Sequence, residues 1–512
     1  MNKNKKKKRL DSFFEITKYQ SSIKCEILAG IATFFAMSYI LTVNPNNILY
    51  ETSTADARWA SIFIATAFGA AFGTLLMALL AKVPLAIAPS LGLNSALGAL
   101  IGGGMGAAAG GTMPLSTALL LVFLSGVLFF LLSVIPGGKN ANGTWISLRE
   151  KVFDGMPKAI RTAIPVGIGL FIAFIGLQKS GLITDNAFTL VGLVDFSDPS
   201  NYQNGGPALQ AFVCLFGLFA IGILSHYQVK GAVILGVLAA TVLAIPLQVA
   251  DFDILLGKSD GITWRFWTNF QNFFSFKPEQ GGLFLAAFTE GFDAFEKADA
   301  SFYMTVGVTV LSFCMIQMFD SMGTVLGCAT NAGLLDEDGK PIRYSKIMVS
   351  DSTANMAASC LGTSPMTTFV ESGVGIAAGG KTGLTALTVS LLFIVSIFVL
   401  PLFAFIPASA ASSALIYVGV LMISNVTDID FKQVKNAIPS FLILIMMPLT
   451  YSITEGIGIG LLAYLLIDLI QYFIEWILFW CKKRQAAPKW DLSVAFILVC
   501  IFFLLYFFLP TA

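Results

Sequence analysis

The chain has 512 residues, of which 56% are hydrophobic and only 12% are charged, and its formal net charge is +1. Soluble domains carry about 25% charged residues, so the composition excludes an ordinary soluble protein and indicates a polytopic membrane protein of the all-α class. The single histidine and the seven cysteines, which form no CxxC pair, argue against a zinc site, a Ser-His-Asp site and a disulfide framework. We expect no metal and no cofactor.

Apolar runs recur along the chain, and a bilayer crossing needs about 20 apolar residues. Basic loops between the runs should face the cytoplasm, as should the lysine-rich N-terminus, and the acid-rich loop Asp251–Asp299 should face outward. We predict about 14 crossings, near residues 26–45, 59–81, 85–104, 115–135, 158–178, 209–225, 231–250, 303–330, 345–361, 363–380, 384–405, 410–425, 438–454 and 456–480. A last apolar run, Leu492–Leu509, either crosses again or lies along the interface.

Two predicted crossings, the third and the tenth, are interrupted by glycine and proline. They are PLAIAPSLGLNSALGALIGGG (Pro84–Gly104) and GTSPMTTFVESGVGIAAGGKTG (Gly362–Gly383). Each is the third crossing of a half of about seven. Broken segments at matching positions of two halves are typical of an inverted-repeat transporter and its binding site. We predict that their extended pieces pair as short β-strands, because irregular backbone survives in a membrane only inside protein or beside water. The following short helices should aim their N–H groups at the same point.

Three polar side chains stand out in these apolar segments: Asp320 in the eighth crossing, Glu371 at the head of a half-helix, and Asn94 in the first break. Acids inside membranes cost about 2.5 kcal/mol or more and are usually functional. No lysine or arginine is predicted near Asp320 within the hydrocarbon, so we expect protonation to be part of its working cycle. The alternatives are an ion pair or helix break for Asp320, a cap for Glu371 and backbone satisfaction for Asn94. Thr324, one turn beyond Asp320, is equally a ligand contact or a back-bonding threonine.

The segment GIAAGGKT (Gly375–Thr382) fits the phosphate-loop pattern GxxxxGK[ST]. A nucleotide site would also need a preceding strand and a soluble α/β domain, whereas a membrane run follows here. We therefore expect no ATP binding and interpret Lys381 as an anchor on the cytoplasmic side. The lysine-rich start is interpreted as a topology signal, and no nucleic-acid partner is expected.

Five motifs closely resemble the AzgA-like purine permeases, the hypoxanthine/guanine/adenine branch of the nucleobase–ascorbate transporter (nucleobase:cation symporter) superfamily. They are AGIATFFAMSYILTVNPNNIL, APSLGLNSAL, FDSMGTVLGCATNAGLLDEDGK, GTSPMTTFVESGVGIAAGGKTGL and IPSFLILIMMPLTYSITEGIGIG, and the resemblance runs from about Phe13 to Tyr472. It implies two inverted repeats of seven segments and a homodimer. The implied division is a core (20–136 and 303–408), a gate (158–250 and 410–480), an extracellular loop (251–302) and a basic linker with the last apolar segment (481–512).

The resemblance also implies a set of site residues. Relatives that prefer pyrimidines or xanthine usually have glutamate at the position of Asp320 and often histidine at that of Thr324, so this chain fits a larger bicyclic ligand. Which group relays the proton stays open; Asp320 and Glu371 are the predicted proton-coupling residues. The residues predicted to bind the base are Asn94, Asp320, Glu371, Thr324, Gly92, Phe319 and Phe369. For the two phenylalanines, core packing is the more frequent role.

The sequence thus predicts a non-enzymatic purine nucleobase:proton symporter of the cytoplasmic (inner) membrane, whose core slides or rocks against its gate. Its expected partners are a purine, protons, the lipid bilayer and a second copy of the chain. The alternatives are sodium coupling, or an anion carrier, which would want a cationic site in the breaks. An intramembrane aspartyl hydrolase would need two facing aspartates, and only Asp320 is expected within the spans.

Overall fold

The computed structural model describes residues 10–49, 57–102, 113–139, 145–186, 190–229, 231–256, 264, 266–275, 282–295, 300–335, 341–451, 453–481 and 492–508. In this described part, nine helices are long and apolar enough to cross a membrane. Two more apolar helices, Ala232–Ala244 and Val434–Leu449, are shorter. The chain is a multi-pass membrane protein, as its composition predicts.

Every predicted crossing overlaps at least one helix. The helices of the first half are α1 (Ile23–Met37), α2 (Ile40–Ile48), α3 (Ala57–Leu76, continued by a π-helical turn over Met77–Ala81), α4 (Leu91–Gly102), α5 (Leu115–Val134), α6 (Leu148–Asp154), α7 (Lys158–Lys179), α8 (Pro207–His226) and α9 (Ala232–Ala244). Those of the second half are α10 (Phe252–Leu255), α11 (Phe266–Phe273), α12 (Ala286–Thr289), α13 (Ala300–Ala332), α14 (Tyr344–Leu361), α15 (Ser372–Ala377), α16 (Gly383–Ser396), α17 (Leu400–Ala404), α18 (Ala408–Ile423), α19 (Val434–Leu449), α20 (Ile453–Trp480) and α21 (Val494–Phe508).

In the described ranges, six short strands form three antiparallel pairs. The strands are β1 (Ile87–Pro89), β2 (Pro136–Lys139), β3 (Trp145–Ser147), β4 (Ile183–Asn186), β5 (Leu190–Leu193) and β6 (Met366–Thr368). The pairs β2–β3 and β4–β5 are local hairpins, whereas β1 and β6 come from the two broken segments. Short 3₁₀ turns cover Pro199–Tyr202, Asp293–Phe295, Ile397–Val399 and Ser424–Asp428.

The long helices pack as two bundles. In the first, which we call the strand-bearing bundle (α1–α5 and α13–α16), α14 packs on α3 and α5, and α16 packs on α1 and α3. In the second, the flanking bundle (α7–α9 and α18–α20), α18 packs on α7 and α8, and α19 packs on α7 and α20. The bundles meet where α4 and α13 contact α7 and where α2 contacts α18.

Small residues permit a close helix contact within the flanking bundle. A Cβ placed on Gly169 of α7 would lie 2.5 Å from the Cβ of Met422, and one on Gly419 of α18 would lie 2.6 Å from the Gly169 carbonyl oxygen. Such small-residue contacts let helix backbones approach closely in membranes, where the hydrophobic effect does not drive helices together. We therefore expect the pair α7–α18 to stay together as a unit.

Two segments outside the main spans also pack on the bundles. In the predicted loop 251–302, α11 packs on α3 and α12 packs on α5, and the side chains of Phe273 and Leu283 are buried. The C-terminal helix α21 packs against α20. Ser493, just before α21, donates a hydrogen bond of 2.8 Å to the Gly155 carbonyl. These contacts therefore hold the last apolar segment against the rest of the protein.

Candidate functional site

The two broken segments meet in the β1–β6 pair. Ala88 is opposite Thr367 at its centre. The backbone N–H of Ser90 donates to the Pro365 carbonyl at 2.9 Å, and the N–H of Phe369 donates to the Ala86 carbonyl at the same distance. The pairing is therefore symmetric about its centre. Helix α4 begins directly beyond Ser90, and α15 begins shortly after β6, so each half-helix starts at one end of the strand pair.

Buried side chains complete the hydrogen bonding at both outer edges of this two-stranded sheet. On the β1 edge, the Thr74 hydroxyl accepts from the Ile87 N–H at 3.0 Å and donates to the Ile87 carbonyl at 3.1 Å. On the β6 edge, Gln317 donates to the Met366 carbonyl at 2.7 Å, and the Asn355 side-chain oxygen accepts from the Met366 N–H at 3.2 Å. Unpaired backbone groups are costly away from water, so these three side chains are what allows strands to lie inside the bundle.

Glu371 occupies the N-cap position of α15, yet its side chain does not cap that helix. The residue is 6% exposed, and its carboxylate accepts a 2.5 Å hydrogen bond from the Tyr39 hydroxyl. Tyr39 lies in the short interruption between α1 and α2, and the sequence patterns gave no reason to select it. The alternative prediction, that Glu371 merely caps α15, is therefore wrong.

Asp320 lies on α13 and is brought to the other end of the strand pair. Its Oδ2 accepts a 2.9 Å hydrogen bond from the hydroxyl of Ser90, the residue between β1 and α4. Asp320 is half-buried. The Asp320 and Glu371 carboxylates are close enough to interact electrostatically. The structure thus brings together the two acids that were predicted to couple protons, each next to one hydroxyl donor.

Asn94 is fully buried in a different polar cluster. Its amide donates to the Asn44 side-chain oxygen at 3.2 Å and accepts from the Asn47 amide at 3.1 Å. Asn44 in turn donates to the hydroxyls of Thr66 and Thr363 at 2.7 and 2.8 Å. These contacts tie α4 to α2 and α3, so the amide of Asn94 has protein partners, and its contact with a base stays a prediction.

The remaining predicted site residues lie in different surroundings. Thr324 is half-buried one turn beyond Asp320. Gly92 faces the flanking bundle, where an added Cβ would lie 2.7 Å from Ile453 and 3.4 Å from Ile168. Phe369 is buried in the apolar core. The side chain of Phe319 lies outside the described residues.

Two charged residues correct the predicted picture. Arg149 of α6, outside the predicted spans, is fully buried and donates to the Ser321 hydroxyl at 3.0 Å, so a cation that the sequence patterns did not predict reaches the residue next to Asp320. The chain between α5 and α7 has the composition of a basic loop, but it folds inward here and its long arginine side chain reaches α13. Asp351 of α14 is also fully buried, so counting Asp320 as the only aspartate in the spans was wrong. The run SDSTANMAASC, inside the predicted ninth crossing, contained that signal.

The segment that fits the phosphate-loop pattern binds a carboxylate of the protein. The backbone N–H groups of Lys381 and Thr382 each donate to the Glu26 carboxylate at 3.1 Å, and the Thr385 hydroxyl donates to it at 2.6 Å. Glu26 is fully buried. A helix N-terminus attracts negative charge, and at the start of α16 that charge is a side chain of α1. The glycine-rich loop therefore joins two helices of the strand-bearing bundle.

The sequence of this chain matches the model of the Permease family (Xan_ur_permease) over residues 24–459. The chain belongs to this permease family. The Bacillus subtilis guanine/hypoxanthine permease PbuO is 37% identical over 453 residues, which cover 88% of this permease and 93% of PbuO. The Escherichia coli adenine permease AdeP is 30% identical over 455 residues, which cover 89% of each chain. The family resemblance predicted from the motifs is confirmed.

A solved structure supports the fold. The transmembrane domain of the cyanobacterial bicarbonate transporter BicA aligns with a TM-score of 0.55 at 14% identity, covering 85% of this permease and 96% of that chain. At this identity, the likeness concerns the fold alone. Membership of the permease family makes the chain a membrane transporter and not an enzyme, so the hydrolase alternative is set aside on these grounds, although Asp351 supplies a second buried aspartate.

Proposed function

We propose that this permease imports purine nucleobases (guanine, hypoxanthine or adenine) by proton symport. The observation that carries the proposal is the pair of carboxylates at the β1–β6 strand pair, Asp320 beside Ser90 and Glu371 beside Tyr39. A purine has ring N–H donors and ring-nitrogen or carbonyl acceptors in one plane. Carboxylates accept from the N–H groups, and hydroxyls can donate to the acceptors. Relatives named as guanine/hypoxanthine and adenine permeases support the same substrate class.

Proton coupling follows from the cost of charge in this setting. Two carboxylates that interact with each other cannot both stay ionised cheaply in a low-dielectric site. In the proposed cycle, one acid takes a proton from outside, and the base binds against the other. The loaded site then carries less charge when it passes the flanking bundle. A bicarbonate-like anion would meet two acids at the same place, which disfavours the anion-carrier alternative.

The proposed movement is that of a core, the strand-bearing bundle, against a gate, the flanking bundle. Contacts between the bundles support it, because few of them are polar among the described residues. Gly92 meets the apolar side chains of Ile168 and Ile453, and such a contact can slide. A polar exception is Lys179 of α7, which donates to the Asn46 carbonyl at 2.7 Å and to the Asn47 side chain at 2.8 Å. In the proposed cycle this contact breaks and re-forms. The proposal includes about 14 segments in two inverted repeats, a cytoplasmic N-terminus in the inner membrane, and a homodimer.

The test is uptake of radiolabelled guanine, hypoxanthine and adenine by a host that lacks its own purine permeases. We expect accumulation of at least one purine, its loss when a protonophore is added, and no change when sodium is replaced by choline. Cells that express Glu371→Gln at equal membrane abundance serve as the control. Failure of every purine to accumulate would overturn the substrate assignment, and uptake that follows sodium would overturn the coupling.

A further inference from the structure

A positive charge is buried beside the proposed site, on a segment that belongs to neither bundle. Arg149 lies on α6, a seven-residue helix between α5 and α7. Its guanidinium donates to the Ser133 hydroxyl at 3.4 Å and to the Ser321 hydroxyl at 3.0 Å, and its Cζ lies 3.9 Å from the centre of the Phe129 ring. Arginine keeps its charge in proteins, so a fixed cation lies against α13.

A buried carboxylate lies in the same interior as this cation. Asp351 is on α14, and both α6 and α14 pack against α5. The charge of Arg149 acts on this carboxylate. Its Oδ1 accepts a long, 3.5 Å hydrogen bond from Thr368 of β6. In the described part of the chain, its Oδ2 has no hydrogen-bond partner, and neither has Nε of Arg149. Either charge would be strongly unfavourable alone in this position, so each depends on the other.

The contacts of these two buried charges reach both elements of the proposed site. Ser321, which accepts from Arg149, directly follows Asp320 on α13. Thr368, which donates to Asp351, is the last residue of β6. Asp351 also faces Asp320 across the same interior. The titratable groups that face the guanidinium are Asp351 and Tyr344 of α14, Cys314 of α13 and Glu150 beside it on α6. Of these groups, Asp351 is the buried carboxylate that also borders the site.

We propose that Arg149 is a positioning residue of the transport cycle: it holds Ser321 beside Asp320, its charge compensates that of Asp351 as a buried charge pair, and Asp320 is left as the acid that exchanges protons. This inference rests on the proposed proton symport. Without the guanidinium, no positive charge would compensate the carboxylates of Asp351 and Asp320 in this interior. Both acids would then stay protonated up to a higher pH. Loss of a neighbouring opposite charge shifts such an equilibrium by about one pH unit or more.

The first arm of the test needs no substrate. We would measure the thermal unfolding midpoint of the purified full-length permease in detergent for the wild type, Arg149→Met, Asp351→Asn and the double variant. We expect each single substitution to lower the midpoint and the double variant to recover at least half of the summed loss, because it leaves no lone charge. Strictly additive losses would overturn the charge pair, whatever the permease transports.

The second arm measures uptake of labelled purine against external pH. Arg149→Met should reduce uptake about 10-fold at neutral pH and move the pH profile upward by about one unit. Arg149→Lys, which keeps the charge, should retain the wild-type profile. Arg343→Met is the matched control, because Arg343 pairs with Glu15 outside this cluster, and it should behave as wild type. An unshifted profile in Arg149→Met would overturn the positioning role. If the wild type transports no purine, the proposed function fails, while the first arm still decides the charge pair.

Discussion

The two broken segments have the same backbone plan and different chemistry. In both, a short strand leads into a half-helix, and the two strands pair symmetrically about Ala88 and Thr367. The second segment carries its own acid, Glu371, at the head of α15. The first carries only the hydroxyl of Ser90 at that end, and its acid, Asp320, comes from α13. The two broken segments thus share the backbone that brings two helix ends together, whereas the side chains on the two ends are free to take separate roles.

The largest effect is expected at the acid that belongs to a half-helix. Glu371→Gln should leave the permease in the membrane and reduce purine uptake about 100-fold, because a charged hydrogen-bond acceptor for the base is lost. Uptake of labelled purine, normalised to membrane abundance, measures this. Glu26→Gln is a useful comparison, since that carboxylate serves α16 and lies outside the proposed site. Near-normal uptake in Glu371→Gln would remove Glu371 from the site.

Substitution of Asp320, the acid that α13 supplies, should cause a different defect. In Asp320→Asn we expect strongly reduced uptake, about 10-fold or more, and whatever uptake remains should no longer depend on external pH or on a protonophore. Downhill exchange of preloaded purine separates binding from coupling. If the variant keeps the wild-type pH dependence, Asp320 is not the coupling group and the proposed division between the two acids fails.

The strand edges provide a structural test of the comparison. Gln317→Ala removes the donor to the Met366 carbonyl and also deprives Asn355 of a partner. Leaving buried polar groups unsatisfied costs about 1–3 kcal/mol, so the thermal midpoint of the purified permease should fall. Thr74→Val on the other edge should cause a similar fall, since Thr74 serves both backbone groups of Ile87. Unchanged midpoints in both variants would mean that the strand pair does not depend on its edges.

The smallest effects are expected at the two hydroxyls beside the acids. Tyr39→Phe and Ser90→Ala each remove one hydrogen bond to a carboxylate, worth about 1–1.5 kcal/mol, which predicts uptake reduced by about 5- to 13-fold. Dose–response curves with purine should show whether the loss is in the apparent affinity or in the maximal rate. If both variants keep the wild-type apparent affinity and maximal rate, the hydroxyls do not orient the acids.

Much of this architecture is visible in the sequence because membranes impose strong patterns. Apolar runs locate the helices, and glycine with proline marks the breaks at Pro84–Gly104 and Gly362–Gly383. Asp320 and Glu371 stand out as acids in apolar surroundings. Asn94 stood out in the same way, yet its amide binds Asn44 and Asn47. Sequence patterns reveal that a polar residue is buried, but they do not reveal which partners the fold gives it.

The residues that were missed share a physical reason. Tyr39, Gln317 and Arg149 act through contacts distant in the chain, with Glu371, Met366 and Ser321. Tyrosine and glutamine are unremarkable in a membrane segment, and an arginine in a basic loop is explained by topology. The glycine-rich loop is the opposite case, because there a pattern was visible. It fits a phosphate-binding loop, but in the fold its backbone N–H groups bind the carboxylate of Glu26.

Accumulation of purine by the purified permease in liposomes is the measurement that tests the central claim most directly. With an imposed pH gradient, acid outside, and no sodium, we predict that labelled purine accumulates above equilibrium in wild-type vesicles. It should not accumulate in Glu371→Gln vesicles or after the gradient is collapsed. Accumulation that needs a sodium gradient, or that persists unchanged in Glu371→Gln, would contradict the account.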